Sequence, residues 1–471
     1  MSYLRSIGVL TVAATMAVTL AACTLAPRYE QPASPAPAAY EGVDSTTAPV
    51  AAADIAWSEF FPDPELKDLI RRALTNNRDL RIATLNVEAA RAQYRIRRAD
   101  LVPSIDAVGT ASNQRTPGPV SPTGDNTLQR TYSAGLGTTA FELDLFGRVR
   151  SLRRQALEQY FALEETRIAA QLVLVSEVAT AWLTLIADRE LLALAEETRA
   201  SQHKSYELTR LRFDSGVSSE VELHRSESAW RAAEVDIAQQ KRRVEQDRNA
   251  LALLVGEPLP PNVGANGQPI EQQTFAQELP AGIPAELLTR RPDIRAAEHA
   301  LKAANANIGA ARAAFFPSIG LTGFYGSASD DLSDLFRSGT TSWSFTPVVR
   351  LPIFSGGANM AGLDLANVRK RTEIARYEQS IQVAFREVAD ALIARSTFEE
   401  QLRAQEALTR AAEASYRLAD VRYRGGVDSY LGALIAQRDL YTAQRQLIVT
   451  RLAGAANIVQ LYQTLGGGWK E

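Results

Sequence analysis

Few side chains in this 471-residue sequence are spaced for chemistry. Its three histidines, His203, His224 and His299, lie far apart on predicted helices, with no cysteine or carboxylate at metal-ligand spacing. A zinc site needs several such donors converging, and an intrachain disulfide needs a second thiol beside Cys23, so neither is expected. Gly135-Leu136-Gly137-Thr138-Thr139-Ala140 imitates the Gly-x-Gly-x-x-Ala turn that cradles a dinucleotide, but the segment runs on as an alternating strand where a helix should open. There is no Walker loop, no Gly-x-Ser-x-Gly elbow and no pair of carboxylates distinct from helix-surface charge. An enzyme is not expected, nor a cofactor. Lys+Arg number 51 against Asp+Glu 54, so the surface is no polyelectrolyte and nucleic acid is excluded as a partner class.

The thiol of Cys23 is the one group placed for modification. Residues 1–22 read as a secretory signal, with Arg5 in the basic region and Ile7 to Ala22 as an apolar stretch too short to make a good membrane span. The stretch closes on Leu20-Ala21-Ala22-Cys23, which resembles the bacterial lipobox at all four positions and implies cleavage before Cys23 and acylation of that cysteine. Thr24 follows where an inner-membrane retention signal would place Asp, which points to the outer membrane. The best remaining apolar run, Leu172 to Ala187, carries Ser176 and Glu177, so no transmembrane helix is expected in the mature chain.

Self-similarity sets the organisation. Leu74-Thr75, Asp79-Leu80-Arg81 and Pro103-Ser104-Ile105 recur at Leu288-Thr289, Asp293-Ile294-Arg295 and Pro317-Ser318-Ile319, at a constant offset of 214. Arg212-Phe213-Asp214-Ser215-Gly216-Val217 recurs as Arg422-Tyr423-Arg424-Gly425-Gly426-Val427, at an offset of 210. The chain is one unit written twice. We divide it into a Pro/Ala-rich tether over 23–56, a first copy over 57–255, a linker over 256–284 and a second copy over 285–471.

Each copy contains a long stretch without Gly or Pro, 148–215 and 363–424, rich in Ala, Leu, Glu, Arg and Gln. At 1.5 Å per residue these would be helices of about 100 Å and 93 Å, which must lie along other helices rather than inside a globular core. A Gly-Val pair follows each, and then a second helical pattern, so each copy carries a long helical hairpin with its tip at residue 216 or 426.

Ahead of each hairpin the hydrophobic period switches to two. Strands are expected near 103–115 and 130–146, and again near 317–327 and 340–353, where Trp343, Phe345, Pro347, Val349, Leu351 and Ile353 alternate with more polar neighbours. Strand length near ten residues and polar loops favour a membrane barrel. Four strands cannot close one, and open edges are not tolerated in lipid, so several chains must contribute. Two chains would give a filled eight-stranded barrel and three a wider twelve-stranded one. Glu142, Asp144 and Arg350, read as inward-facing, favour the trimer. The expected fold is therefore mainly α with a membrane β-barrel: a trimeric twelve-stranded barrel continued by a twelve-helix tunnel.

Several segments together resemble the outer membrane efflux protein family, the TolC-like exit ducts, and its NodT-type lipoprotein branch serving resistance-nodulation-division pumps. They are Phe60-Phe61-Pro62-Asp63-Pro64, Phe141 to Arg148, Arg290-Arg291-Pro292-Asp293, Phe315-Phe316-Pro317-Ser318 and Leu351-Pro352-Ile353-Phe354-Ser355-Gly356-Gly357. The resemblance implies a homotrimeric duct in the outer membrane of a Gram-negative bacterium, lipid-anchored, extending into the periplasm and passing drugs or toxic organics. Its implied partners are outer membrane lipid, a periplasmic adaptor protein and an inner-membrane pump. It carries adaptor docking onto Arg212, Gly216, Val217 and Ser219 at the first tip and Arg422, Gly426, Val427 and Ser429 at the second. It also implies a periplasmic gate in which Tyr423 reaches Glu222, with Asp428 where relatives place a basic residue, and Gly432 and Ile435 where they often place aspartates. A duct for type I protein secretion or metal efflux is the alternative within the fold, and a periplasmic coiled-coil adaptor lipoprotein the alternative outside it.

Overall fold

A computed structural model of the chain describes residues 24–37 and 54–469, apart from 123, 266, 274, 276–278 and 280–288. The signal segment, Cys23, part of the tether and part of the linker lie outside the described residues.

The breaker-free stretches fold as continuous helices. α1 (Trp57–Phe60), α2 (Pro64–Asn76) and α3 (Arg78–Ala99) lead into β1 (Asp106–Thr116) and β2 (Thr127–Leu143), followed by α4 (Arg148–Asp214) and α5 (Glu220–Val255). The second copy repeats this order as α6 (Pro292–Ala313), β3 (Ser318–Ser329), β4 (Thr341–Arg350), α7 (Ala358–Arg424) and α8 (Tyr430–Thr464). α4 and α7 are each 67 residues long. α7 starts ahead of its expected point because Gly362 is accommodated inside the helix, at roughly 1 kcal/mol relative to Ala.

The four strands form one antiparallel sheet in the order β1-β2-β3-β4, so β1 and β4 are its edges. The register aligns Ile319 with Val349, Leu321 with Pro347, Gly323 with Phe345 and Tyr325 with Trp343, which puts the apolar residues of both strands on one face. Leu136 joins them opposite Tyr325, and Phe141 and Leu143 opposite Leu321 and Ile319. That face carries Trp343 at 72% exposure, Phe345 at 63% and Tyr325 at 66%, the pattern of a lipid-facing surface. A bulge between Thr138 and Phe141, with Ala140 at φ 52°, lets β2 keep its face after the extra residues. Gly135, singled out above in a dinucleotide-like pattern, is instead a cross-strand partner of Gly326. A Cβ there would fall 2.4 Å from the Tyr325 carbonyl oxygen, so close backbone approach accounts for the glycine.

Two of the charges read as inward-facing are neutralised where β2 meets α4. Glu142 accepts from the Arg148 guanidinium, and Asp144 caps α4 by accepting from the Arg150 backbone N–H at 2.9 Å and its Nε at 3.1 Å. Asp144 lies beyond the end of the strand, so it belongs to the helix start and not to the sheet face.

The described residues fall into two compact units that cut across the copies, one within 24–33, 86–163 and 296–377, the other within 34–37, 54–85, 164–295 and 378–469. The first holds the sheet with the flanking ends of its helices. Residues 24–31, the start of the expected extended tether, are fastened there. Thr24 bonds Ser151 at 3.2 Å, Arg312 and Asn305 donate to the backbone carbonyls of Leu25 and Pro27, Tyr29 donates to Glu298 at 3.0 Å, and Gln31 donates to Tyr377 at 2.9 Å. Composition indicated an extended tether; polar side chains spaced along the helices take up its carbonyls.

The second unit has a conventional core. Asp63 caps α2 through the backbone N–H groups of Glu65 and Leu66, and α2 then buries Leu66, Leu69, Ile70 and Ala73 on one face. Phe60 stacks on Tyr462 with centroids 3.9 Å apart, and the buried Tyr462 hydroxyl donates to the Ile55 carbonyl at 2.7 Å. The Leu172–Ala187 stretch turns one face into this core, with Val178, Ala179, Trp182 and Leu185 at 0% exposure while Val173 and Glu177 stay exposed. It is a core helix segment. The described part of the linker packs against α4, with Val263 and Ile270 buried and Arg189 donating to the Val263 carbonyl at 2.6 Å. Arg291, from the Arg-Arg-Pro-Asp motif, is buried and binds Asp293, Glu387 and the Thr464 carbonyl, tying the start of α6 to α7 and the end of α8.

Candidate functional site: the hairpin tips and the seam between them

Both hairpins turn in the same way. Gly216 (φ 74°) and Gly426 (φ 73°) adopt the left-handed conformation that ends α4 and α7. The N–H groups of Val217 and Gly216 donate to the Arg212 and Phe213 carbonyls, both at 2.8 Å, and those of Val427 and Gly426 to the Arg422 and Tyr423 carbonyls at 2.9 and 3.0 Å, the paired bonds of a Schellman cap at each tip. The turn leaves Val217 and Val427 pointing outward at 68% and 66% exposure. Ser219 then caps α5, with Glu222 completing a reciprocal capping box. Ser429 holds the same position before α8 but makes no side-chain cap bond.

Within one chain, and among the described residues, the expected gate contact between Tyr423 and Glu222 is not made. Glu222 is occupied by the Ser218 hydroxyl at 2.5 Å and the Ser219 backbone N–H at 3.4 Å, because Ser-x-x-Glu before a helix is a capping sequence first. Tyr423 instead reaches α4. Its hydroxyl lies 3.1 Å from that of Thr209, which already donates to the Ser205 carbonyl, so Tyr423 is the donor. The Arg212 guanidinium sits over the Tyr423 ring, 5.0 Å from its centroid. Tyr423, Tyr430 and Ala433 form a small buried cluster below the second tip, and burial raises the Tyr430 hydroxyl pKa.

Asp428 is bound within its own hairpin. The Arg422 guanidinium donates to it from Nε at 2.5 Å and from Nη2 at 3.0 Å, and this pair holds the Asp428 carboxyl below its ordinary range. The arginine and aspartate that the sequence assigned to docking and gating are thus partners. Sequence reading missed the pair because it spans the turn at a six-residue separation, outside the helical i+3 and i+4 spacings.

Away from the tips the seam between the hairpins continues through Gln437 donating to Ser201 at 3.0 Å and Tyr441 donating to Asp236. Arg225, Arg438 and Arg445 line a groove of about 640 Å³ between α5 and α8 whose one acid, Asp236, is taken by Tyr441. Each histidine has a carboxylate neighbour: His299 bonds Glu158 at 2.8 Å, and His203 and His224 lie near glutamates at helical spacing. Among the described residues no group of three or more His, Cys, Asp and Glu converges as a metal site would.

This architecture is that of known outer membrane channels. The model of the outer membrane efflux protein family matches the sequence twice, over residues 69–257 and 283–467, one match for each copy. The chain belongs to the outer membrane efflux protein family. It is 48% identical over 465 residues to the toluene efflux pump outer membrane protein TtgC of Pseudomonas putida, covering 97% of this chain and 95% of TtgC. It is 42% identical over 461 residues to the outer membrane protein OprJ of Pseudomonas aeruginosa, covering 97% and 95%. The solved open-state MtrE outer membrane channel of Neisseria gonorrhoeae superposes with a TM-score of 0.87 at 41% identity, covering 95% of this chain and 99% of that one. CusC matches with a TM-score of 0.84 at 38% identity, covering 95% and 100%. The chain is an outer membrane efflux component of the TolC-like type, and three copies contribute four strands each to a twelve-stranded barrel.

Proposed function

We propose that this efflux protein is the exit duct of a tripartite system, that a periplasmic adaptor docks on its two hairpin tips, and that small apolar or amphiphilic organic molecules are its cargo. The observation that carries the docking reading is the duplicated tip: two Schellman turns that present an outward valine at equivalent positions, Val217 and Val427, beside exposed apolar residues of the flanking helices, Leu211 and Val221 at the first tip and Leu418 and Val421 at the second. An exposed apolar residue held on a rigid cap suits a partner surface. Arg212 and Arg422 are engaged by Tyr423 and Asp428, so docking rests on the valines and the backbone around Gly216 and Gly426, with the arginines shaping the turns. The cargo class follows the relatives, whose names specify toluene, solvents and antibiotics.

The lipobox sequence supports acylation of Cys23, and Thr24, the next residue, is held beside Ser151 on α4. The anchor and the inner-membrane pump partner are parts of the same proposal.

Val217→Asp combined with Val427→Asp tests it. The variant is expected to remain in the outer membrane as a heat-resistant oligomer while solvent and drug tolerance is lost and adaptor cross-linking disappears. Full tolerance with both aspartates in place would overturn tip docking.

A further inference from the structure

The sheet exposes two edges, and the chain leaving one is chemically matched to the chain entering the other. β4 ends at Arg350 and runs into Leu351, Ile353 and Phe354, with Ile353 at 87% and Phe354 at 90% exposure. β1 begins at Asp106 and is preceded by Val102 and Ile105, both exposed. When β4 of one subunit pairs antiparallel with β1 of the next, the end of one strand lies level with the start of the other. The two apolar stretches then meet.

The same junction occurs once inside the chain, where β2 of the first copy pairs with β3 of the second. There Phe146 stacks on Phe316, with centroids 4.8 Å apart and planes at 23°. The segment Leu143-Asp144-Leu145-Phe146-Gly147 recurs as Leu351-Pro352-Ile353-Phe354-Ser355, which puts Phe354 in the place of Phe146. The offset of 214 that relates the copies carries Phe316 back to Val102. Phe146 finds its partner within the chain; the equivalent partner of Phe354 belongs to the next subunit, which accounts for its exposure in a single chain. Charge follows the same relation. Glu142 lies opposite Gly320 in the β2–β3 pairing, and the two shifts convert these positions to Arg350 and Asp106.

We propose that each seam of the trimer is closed at the base of the barrel by a clasp in which Phe354 packs on Val102 of the partner subunit, while Arg350 pairs across the strands with Asp106 of the partner subunit. The occupant of the exposed Ile353–Phe354 surface is a second copy of this chain, and the inference rests on the trimeric barrel. A ring-forming contact of this kind uses two different patches on each subunit and closes at three.

Two full-length chains with different tags, one carrying Val102→Cys and the other Phe354→Cys, are co-expressed and treated in outer membranes with an oxidant or a short thiol cross-linker. A covalent product containing both tags is expected, and neither variant alone should give it. Heat-resistant oligomers without any two-tag product would overturn the clasp while leaving the trimer intact; loss of oligomers from the unaltered chain would instead overturn the trimer. Arg350→Asp is expected to lower the temperature at which oligomers dissociate, and adding Asp106→Arg to restore it. A double variant less stable than either single one would overturn the ion pair.

Discussion

The hydroxyls of Thr209, on α4, and Tyr423, on α7, lie 3.1 Å apart and join the two helical hairpins one helical turn or so above their tips. The bond is buried: Thr209 is at 0% exposure and Tyr423 at 5%. Arg212, one turn further along α4, lies over the ring, so one tyrosine is held by a hydrogen bond at its tip and a cation on its face. A single residue of the second hairpin therefore reports whether the hairpins are together.

Tyr423→Phe and Thr209→Val each remove one side of this bond. Either is expected to weaken the seam by about 1 kcal/mol, roughly fivefold in an equilibrium that separates the hairpins. In planar bilayers each variant should open more often than the unaltered channel. Because both changes act on one contact, the double variant should do little more than the single ones. Additive effects would mean that the two hydroxyls act separately.

Arg422→Ala leaves Asp428 without its partner at an exposed turn. Repeated in three subunits, the uncovered carboxylate is expected to raise the cation-to-anion permeability ratio, and Asp428→Asn in the Arg422→Ala background should reverse that rise. Reversal potentials in a salt gradient measure both. An unchanged ratio in Arg422→Ala would place the pair away from the ion path.

Asp247, on α5, gives the second unit a defined pH response. Burial, and then the carboxyl of Asp188 on α4, push Asp247 up to about 7, while Arg243 pulls the other way. Folding raises this pKa, so the ionised form is the disfavoured one: the destabilisation is fully present above about 7 and fades as pH falls through 7 toward the ordinary carboxylate range. Asp247→Asn should therefore raise the melting temperature at pH near 8 and leave it almost unchanged near 5. Thermal scans at the two pH values decide this, and an equal gain at both would sink it.

Tyr462 separates packing from hydrogen bonding in the same unit. Tyr462→Phe keeps the stack on Phe60 but leaves the buried Ile55 carbonyl without its donor, which should cost about 1–3 kcal/mol. Tyr462→Ala removes the ring as well and should cost about 3–5 kcal/mol. Chemical denaturation of the detergent-solubilised protein ranks the two variants; a phenylalanine variant as unstable as the alanine one would assign the whole effect to the hydroxyl.

Much of this molecule was legible because its signals are local or repetitive. The absence of breakers from 148 to 215 sets α4 almost to the residue, since a helix needs only favourable residues and an uninterrupted backbone. The offsets of 214 and 210 show that the two copies share one order of elements, and alternation at Trp343, Phe345 and Val349 gives a strand with one apolar face. Four strands with two edges then require other chains, a conclusion from backbone hydrogen bonding alone.

Partner choice was not legible, because it depends on which groups a tertiary arrangement brings within 3 Å. Glu222 answers to Ser219 three residues away before any distant tyrosine can claim it. Asp428 turns back to Arg422, Tyr423 crosses to Thr209, and the extended segment at 24–31 finds donors on α6 that composition cannot reveal. Sequence by itself determined the repeated helices, the strands, the turns and the need for more than one chain, each a matter of covalent geometry and hydrophobic period. Only the tertiary structure decided which polar side chains pair, because a hydrogen bond or ion pair is fixed by distance and competition at its own site, and neither quantity is written along the chain.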